Sequence, residues 1–246
     1  MNGTSAPYDG AAMLAATAAL GGYFALPTID DGEDLATLLT ADAVLGFVER
    51  THAAIAASTG GDRRQLPLRV AASSFQLDLA ARLLSPAVGA ATLHGAVPVL
   101  GPTSVRWAST EHHAPRLGTS TLDWLSAPTP SRAAKSISNT LLTNVFGPLA
   151  ETLRATTGLS TQISWGNVIS ATNGAVTVMA ASRPDLAPAG RELVRALLGT
   201  GPLAGSGHVV DGRFVRRSCC LFYQAPGAGL CGDCVLDATQ LQRTRR

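Results

Sequence analysis

Apolar positions recur with helical spacing over most of the first two-thirds of this chain. In "EDLATLLTADAVLGFVERTHAAIAAS" (Glu33–Ser58), Leu35, Leu38, Leu39, Ala43, Leu45 and Val48 fall near a period of 3.6. That predicts one amphipathic helix, with the acids Glu33 and Asp34 suited to its N-terminus. "STGGDRRQLP" (Ser58–Pro67) breaks the pattern and reads as a loop. "LRVAASSFQLDLAARLLSPAVGAATLHG" (Leu68–Gly95) is a long apolar stretch, predicting a buried helix interrupted or kinked near Pro86. Ahead of these, Gly10–Ile29 carries no charge. Its alanines, the Gly21–Gly22 pair and Pro27 make a poor membrane span, and no Lys or Arg precedes it as in a secretory signal. It reads as a buried first helix.

The pattern changes at Ala96–Thr110, where β-branched residues, two prolines and a glycine predict short strands. "SAPTPS" (Ser126–Ser131) reads as a linker, with Ser131 capping a helix that runs to about Thr157. Thr161–Ala181 is a helical or mixed segment containing "SWGNVISATNG", and a short helix from Pro188 to Leu198 ends at Gly199. "GSGHVVDGRFVRRS" (Gly205–Ser218) predicts a hairpin turning at Asp211–Gly212, and the tail "TQLQRTRR" reads as frayed. No internal repeat is visible. The expected fold is α+β, predominantly helical, with a few short strands and a small C-terminal segment. Its boundaries are residues 1–204 for a mainly helical domain, 205–238 for a cysteine-bearing segment and 239–246 for a tail.

Composition narrows the class. A chain of 246 residues with 46% apolar and 15% charged side chains, and a mean hydropathy of +0.20, buries a substantial core and is too apolar for disorder. A net charge of +2 and only 5% aromatics give no reason to expect nucleic acid or an anionic membrane as partner. With no export signal read, a cytoplasmic address is expected. Thiols stay reduced there, so clustered cysteines point to metal rather than disulfides.

All four cysteines lie in "SCCLFYQAPGAGLCGDC" (Ser218–Cys234), as C-C-x10-C-x2-C: Cys219, Cys220, Cys231 and Cys234. "CGDC" is a good chelate, because two intervening residues let both thiolates turn toward one centre. The adjacent pair is harder to use. Neighbouring side chains of a strand face opposite ways, so Cys219 and Cys220 converge only through an irregular turn or on a wide centre. Four thiolates suit tetrahedral zinc or a [2Fe–2S] cluster. Zinc sites usually bring two C-x2–4-C knuckles and this chain has one, which favours the wider two-iron centre over zinc or a plain thiol cluster.

"RRSCCLFYQAPGAGLCGDCVL" resembles the C-terminal hallmark of the ferric-siderophore reductase family of the FhuF type. "SSFQLDLAARLLSPAVGAATLHGAVPVL" and "SWGNVISAT" are similar to that family's helical region. Family members often carry proline after the last cysteine, where this chain has Val235. The resemblance implies a C-terminal [2Fe–2S] segment on Cys219, Cys220, Cys231 and Cys234, and a cytoplasmic one-electron reductase. Its substrate would be a ferric siderophore, of hydroxamate type, released as Fe(II). With no Rossmann fingerprint and no P-loop in the chain, electrons would come from an external donor such as a ferredoxin or a flavin reductase. The rival is a non-catalytic iron–sulfur or zinc-binding protein, a redox sensor or a structural metal site.

The remaining candidates are weaker. "GTGPLAG" (Gly199–Gly205) follows a helix and has the wrong spacing for a nucleotide loop. His112 and His113, beside Glu111, read as solvated. His94 reads as a helix-end contact, and Arg82 as the partner of Asp78 four residues earlier. Trp165 and Asn167 fit either a ligand cavity or the core. Arg216 and Arg217 lie just before Cys219, and one of them is expected within roughly 7 Å of an iron. Arg217→Gln is then expected to lower the midpoint potential.

Overall fold

Two long helices form the centre of the molecule: α4 (Leu68–His94) and α7 (Thr161–Ser182). The computed structural model describes residues 9–120, 122–237 and 239. A helix that is apolar all round must be covered all round, and α4 is packed by α7, α3 (Ala41–Thr59) and α1 (Gly10–Ala18). Phe75, Leu79, Leu83 and Leu84 of α4 are almost wholly buried, each worth ~1.5–3 kcal/mol of apolar burial. The helix runs through Pro86 without interruption. Proline removes one backbone hydrogen bond there, and its buried position between packed neighbours holds the helix together despite that loss. Gly95, in the left-handed region with φ of 60°, ends it.

The predicted single helix over Glu33–Ser58 is three elements. Glu33–Asp34 is a short strand, β1; Leu35–Leu38 is one helical turn, α2; and α3 begins only after Thr40, which is extended. Long-range pairing overrides the local period here. Glu33 and Asp34 lie opposite Trp107 and Arg106 of β3 (Val105–Ala108), and the Asp34 carboxylate accepts a hydrogen bond from the Arg106 guanidinium. The expected buried first helix is also corrected. α1 spans nine residues, Asp9 caps it through a 3.0 Å bond from the Ala12 amide, and Thr17 is its one buried residue. Phe24, Leu26 and Ile29 carry the burial of that region instead, from a 3-10 turn (Gly22–Phe24) and the chain that follows it.

The strands are short and antiparallel. β4 (Arg116–Thr119) extends the sheet in the order β1-β3-β4, and β2 (Ala96–Pro98) pairs with β5 (Trp124–Ser126). The next helix is capped by Thr129, not Ser131: the Thr129 hydroxyl accepts from the Arg132 amide at 3.3 Å. Helical structure continues as α5 (Pro130–Ile137), a π-helical stretch (Ser138–Phe146) and α6 (Gly147–Thr157). Pro148 accounts for the wide turn. It has no amide to give, and an α-helical carbonyl four residues back would strike its ring. The Gly147 amide accordingly bonds Leu142, five residues back. α8 (Ala187–Leu198) packs on α5 and α7.

The predicted hairpin is present as β6 (Gly207–Val210) and β7 (Arg213–Arg216). Asp211 and Gly212 have φ of 50° and 77°, the two positive values that a type I′ turn requires. No helix among the described residues is long and apolar enough to cross a membrane. Of the tail read as frayed, only Thr239 lies among the described residues.

Candidate metal centre

The hairpin carries the first cysteine pair to the surface of α7, and hydrogen bonds from its backbone and from Arg213 join it to the second pair. The Arg216 amide donates to the Asp233 carbonyl at 3.1 Å, and the Arg213 guanidinium to the Gly232 carbonyl at 2.8 Å. Within the CGDC turn, the Cys234 amide donates to the Cys231 carbonyl at 3.1 Å. The convergence of the adjacent pair has a local cause. Leu221, directly after Cys220, takes a left-handed conformation with φ of 69°, unusual for a leucine. This reverses the chain and points its amide at the Cys219 sulfur, 3.3 Å away, while the Leu236 amide points at the Cys234 sulfur at 3.4 Å. Amide donors to sulfur are the contacts that support thiolate ligands.

Cys220 is the hub of the sulfurs. Hydrogen bonds with Cys219 and then Cys231 hold it far below the usual thiol range, against the opposing effect of burial and with help from Arg216. Cys219 and Cys231 are pushed upward, first by donating to Cys220 and then by burial. Among the described residues no three His, Cys, Asp or Glu side chains converge as a single ion would require. The sulfurs run instead from Cys219 through Cys220 to Cys231. Glu111, His112 and His113 are exposed on the loop before β4, remote in sequence from this region.

Beneath the cysteines lies a polar network that sequence reasoning missed in part. Arg216 is 0% exposed and donates to the Asn167 side-chain oxygen. Asn167 in turn donates to the Ser73 carbonyl at 3.1 Å and hydroxyl at 3.0 Å, so the chain Arg216–Asn167–Ser73 ties the cysteine segment to both central helices. Asn167 thus serves the buried framework, and Trp165 packs half-buried against the core. Asp233, inside the CGDC turn, accepts from Ser170 at 2.8 Å and Asn173 at 3.4 Å. Burial raises its pKa more than those bonds and the arginines lower it. Arg82 bonds Asp78 at 2.8 Å as expected. His94, in the last turn of α4, bonds the Met13 carbonyl at 3.3 Å and so anchors α1. Gly199–Gly205 holds a 3-10 turn after α8 and no strand leads into it.

Gly166 shows how tightly the segment is seated. A Cβ there would lie 2.1 Å from the Ser218 hydroxyl oxygen and 3.1 Å from an Arg216 nitrogen. Gly166→Ala is therefore expected to push the cysteine segment off α7, costing ~1–3 kcal/mol as overpacking does. The thermal midpoint should fall and the visible chromophore should bleach faster in air. An unchanged midpoint with an unchanged bleaching rate would show that the segment is free to shift.

One observation tests whether this site suits an anionic metal centre. Two Arg216 nitrogens, Nε and Nη1, are buried and have no hydrogen-bond partner. A guanidinium is always charged, and leaving it buried and half-paired is costly. An anionic group held by the cysteines would supply a partner for that charge, so the donor set and the buried cation both fit an iron–sulfur cluster.

The region is therefore that of an iron–sulfur protein. Residues 216–236 match the family model described as the FhuF 2Fe-2S C-terminal domain, with Cys219, Cys220, Cys231 and Cys234 falling on its cysteine motif. The cofactor indicated by that match is a [2Fe–2S] cluster. No curated protein matches the chain.

Proposed function

We propose that this protein is a ferric-siderophore reductase that delivers one electron to chelated Fe(III) and releases Fe(II). The match of residues 216–236 to the FhuF 2Fe-2S C-terminal domain carries this reading. In it, Cys219, Cys220, Cys231 and Cys234 hold the cluster, residues up to about 204 form the helical body, and the segment from 205 brings the electron to the surface. When bound, the cluster supplies a one-electron carrier, loaded by an external donor of the ferredoxin or flavin-reductase kind.

The protein's own residues have three tasks. The amides of Leu221 and Leu236 donate to two cysteine sulfurs and stabilise their thiolate form. Arg216 places a fixed positive charge beneath the sulfurs, which favours the more negative, reduced state. The third task is exposure: Cys219, Cys231 and Cys234 are only half-buried, which leaves an acceptor a way in. The substrate chemistry is consistent. Hard, anionic hydroxamate oxygens suit Fe(III) and hold Fe(II) far less tightly, so one electron frees the metal without breaking a bond in the carrier.

Dithionite-reduced protein is expected to be reoxidised by a ferric trihydroxamate, with Fe(II) appearing in a ferrozine trap. The rate should exceed that with an inert one-electron acceptor of similar potential. Equal rates would make the protein a general electron carrier or sensor instead.

A further inference from the structure

We propose that the cavity between α7, α8 and the β6–β7 hairpin is a phosphate-binding site, shaped for a phosphate monoester, and that its occupant lowers the potential of the cluster. The site needs the cluster but not the reductase reading, and the two can fail separately.

The cavity has a volume of about 290 Å³. Arg191 and Arg195 stand one turn apart on α8, and Arg213 enters from β7. Like charges four residues apart on a helix repel, and a third from another element adds to that repulsion. Arg195 is offset by the exposed Glu192, three residues before it. Arg191 has no hydrogen bond or ion pair among the described residues. Arg213 spends one nitrogen, Nη2, on the Gly232 carbonyl at 2.8 Å.

Asp233 is the one acid in the wall. Its two oxygens already accept from Ser170 and Asn173 of α7, and the buried Arg216 acts on it as well as Arg213. It is therefore not free to neutralise the other arginines. Asp211, beside Gly212 of the wall, is exposed on the turn. Three guanidinium groups against one carboxylate leave about two positive charges in the wall. A phosphate monoester carries close to two negative charges at neutral pH, and its oxygens accept the paired N–H donors of guanidinium groups. A sulfate ester carries one. The lining also favours an ester over the free ion. A phosphoryl group fills only part of such a volume, and Val176, Val194 and Phe214 in the same wall can cover an apolar ester group.

Arg213 couples the cavity to the cysteines, because the carbonyl it holds belongs to Gly232, next to Cys231. An anion held here adds negative charge beside the CGDC turn, and that disfavours the more negative, reduced cluster. By linkage, the reduced protein binds the anion less tightly by the same factor.

Calorimetry on the oxidised holoprotein with three redox-inert probes tests the site: phenyl phosphate, phenyl sulfate and inorganic phosphate. Phenyl phosphate is expected to bind at least ~10-fold more tightly than either of the others. Arg191→Gln, which breaks no hydrogen bond among the described residues, should weaken it at least ~10-fold with iron content unchanged. Arg116→Gln removes the same charge from β4, outside the cavity, and should bind as the wild type does. No binding of phenyl phosphate, or equal losses in the two variants, overturns the site. Equal binding of phenyl sulfate overturns the charge match. Equal binding of inorganic phosphate overturns the ester and leaves a site for the free ion. The midpoint potential, measured with and without phenyl phosphate at a concentration that saturates the wild type, reads the coupling. It should fall in the wild type and stay in place in Arg191→Gln. A wild-type potential that does not move overturns the coupling alone. A holoprotein that binds phenyl phosphate but reduces no ferric chelate sinks the reductase reading and leaves the site.

Discussion

Cys220→Ala is expected to yield protein without its chromophore. Cys220 is the most buried of the four cysteines and hydrogen-bonds both Cys219 and Cys231, so its removal separates the two halves of the motif. Iron should fall from about two per chain, with about two sulfides, to near zero. The loss extends to stability, because a group bound only by the folded state stabilises that state by its binding free energy. Alanine at Cys219, Cys231 or Cys234 is expected to act in the same direction. Iron and acid-labile sulfide analysis with a visible spectrum decides the matter. A Cys220→Ala protein that keeps about two irons would remove Cys220 from the ligand set.

The second large effect belongs to Arg216. A [2Fe–2S] centre on four thiolates carries about −2 when oxidised and about −3 when reduced, so a neighbouring cation favours reduction. At an effective dielectric of about 20 and a separation on the order of 7 Å, one unit charge contributes ~2 kcal/mol, or about 100 mV. Arg216→Gln is expected to lower the midpoint potential by that order. Arg216→Lys, which keeps the charge, should recover most of it. Arg217→Gln should move it by a few tens of millivolts at most, because Arg217 is exposed and its charge is screened. The Arg216 shift should persist at high salt and the Arg217 shift should not. Protein-film voltammetry of the three variants measures this. A potential unchanged or raised in Arg216→Gln would reduce the buried guanidinium to a structural tie.

The arginine pair marks a limit of sequence reading. "RRSCC" places two cations two and three residues from Cys219, and on spacing alone Arg217 is as good a candidate as Arg216. Alternation along β7 and the chain that follows decides between them: Phe214, Arg216 and Ser218 face inward, Arg213 and Arg217 outward. The inward choice is stable only because α7 presents Asn167 to receive Arg216 and a glycine, Gly166, to make room for it.

Much was determined by the sequence alone. Four cysteines in sixteen positions, with one C-x2-C and an adjacent pair, specify a metal centre because ligand chemistry is local and reads directly from spacing. The long helices α4 and α7, the glycine that closes α4 and the Asp211–Gly212 turn were legible for the same reason: period, capping and φ preference act over a few residues. Only the tertiary structure decided the rest. Glu33 and Asp34 became a strand because Arg106 and Trp107, some seventy residues on, pair with them. Likewise Arg216 became a buried cation and Asp233 an acceptor for α7 through contacts between distant segments. Such contacts leave no period or spacing in the chain, since their free energy is released only when the two central helices and the cysteine segment are packed together.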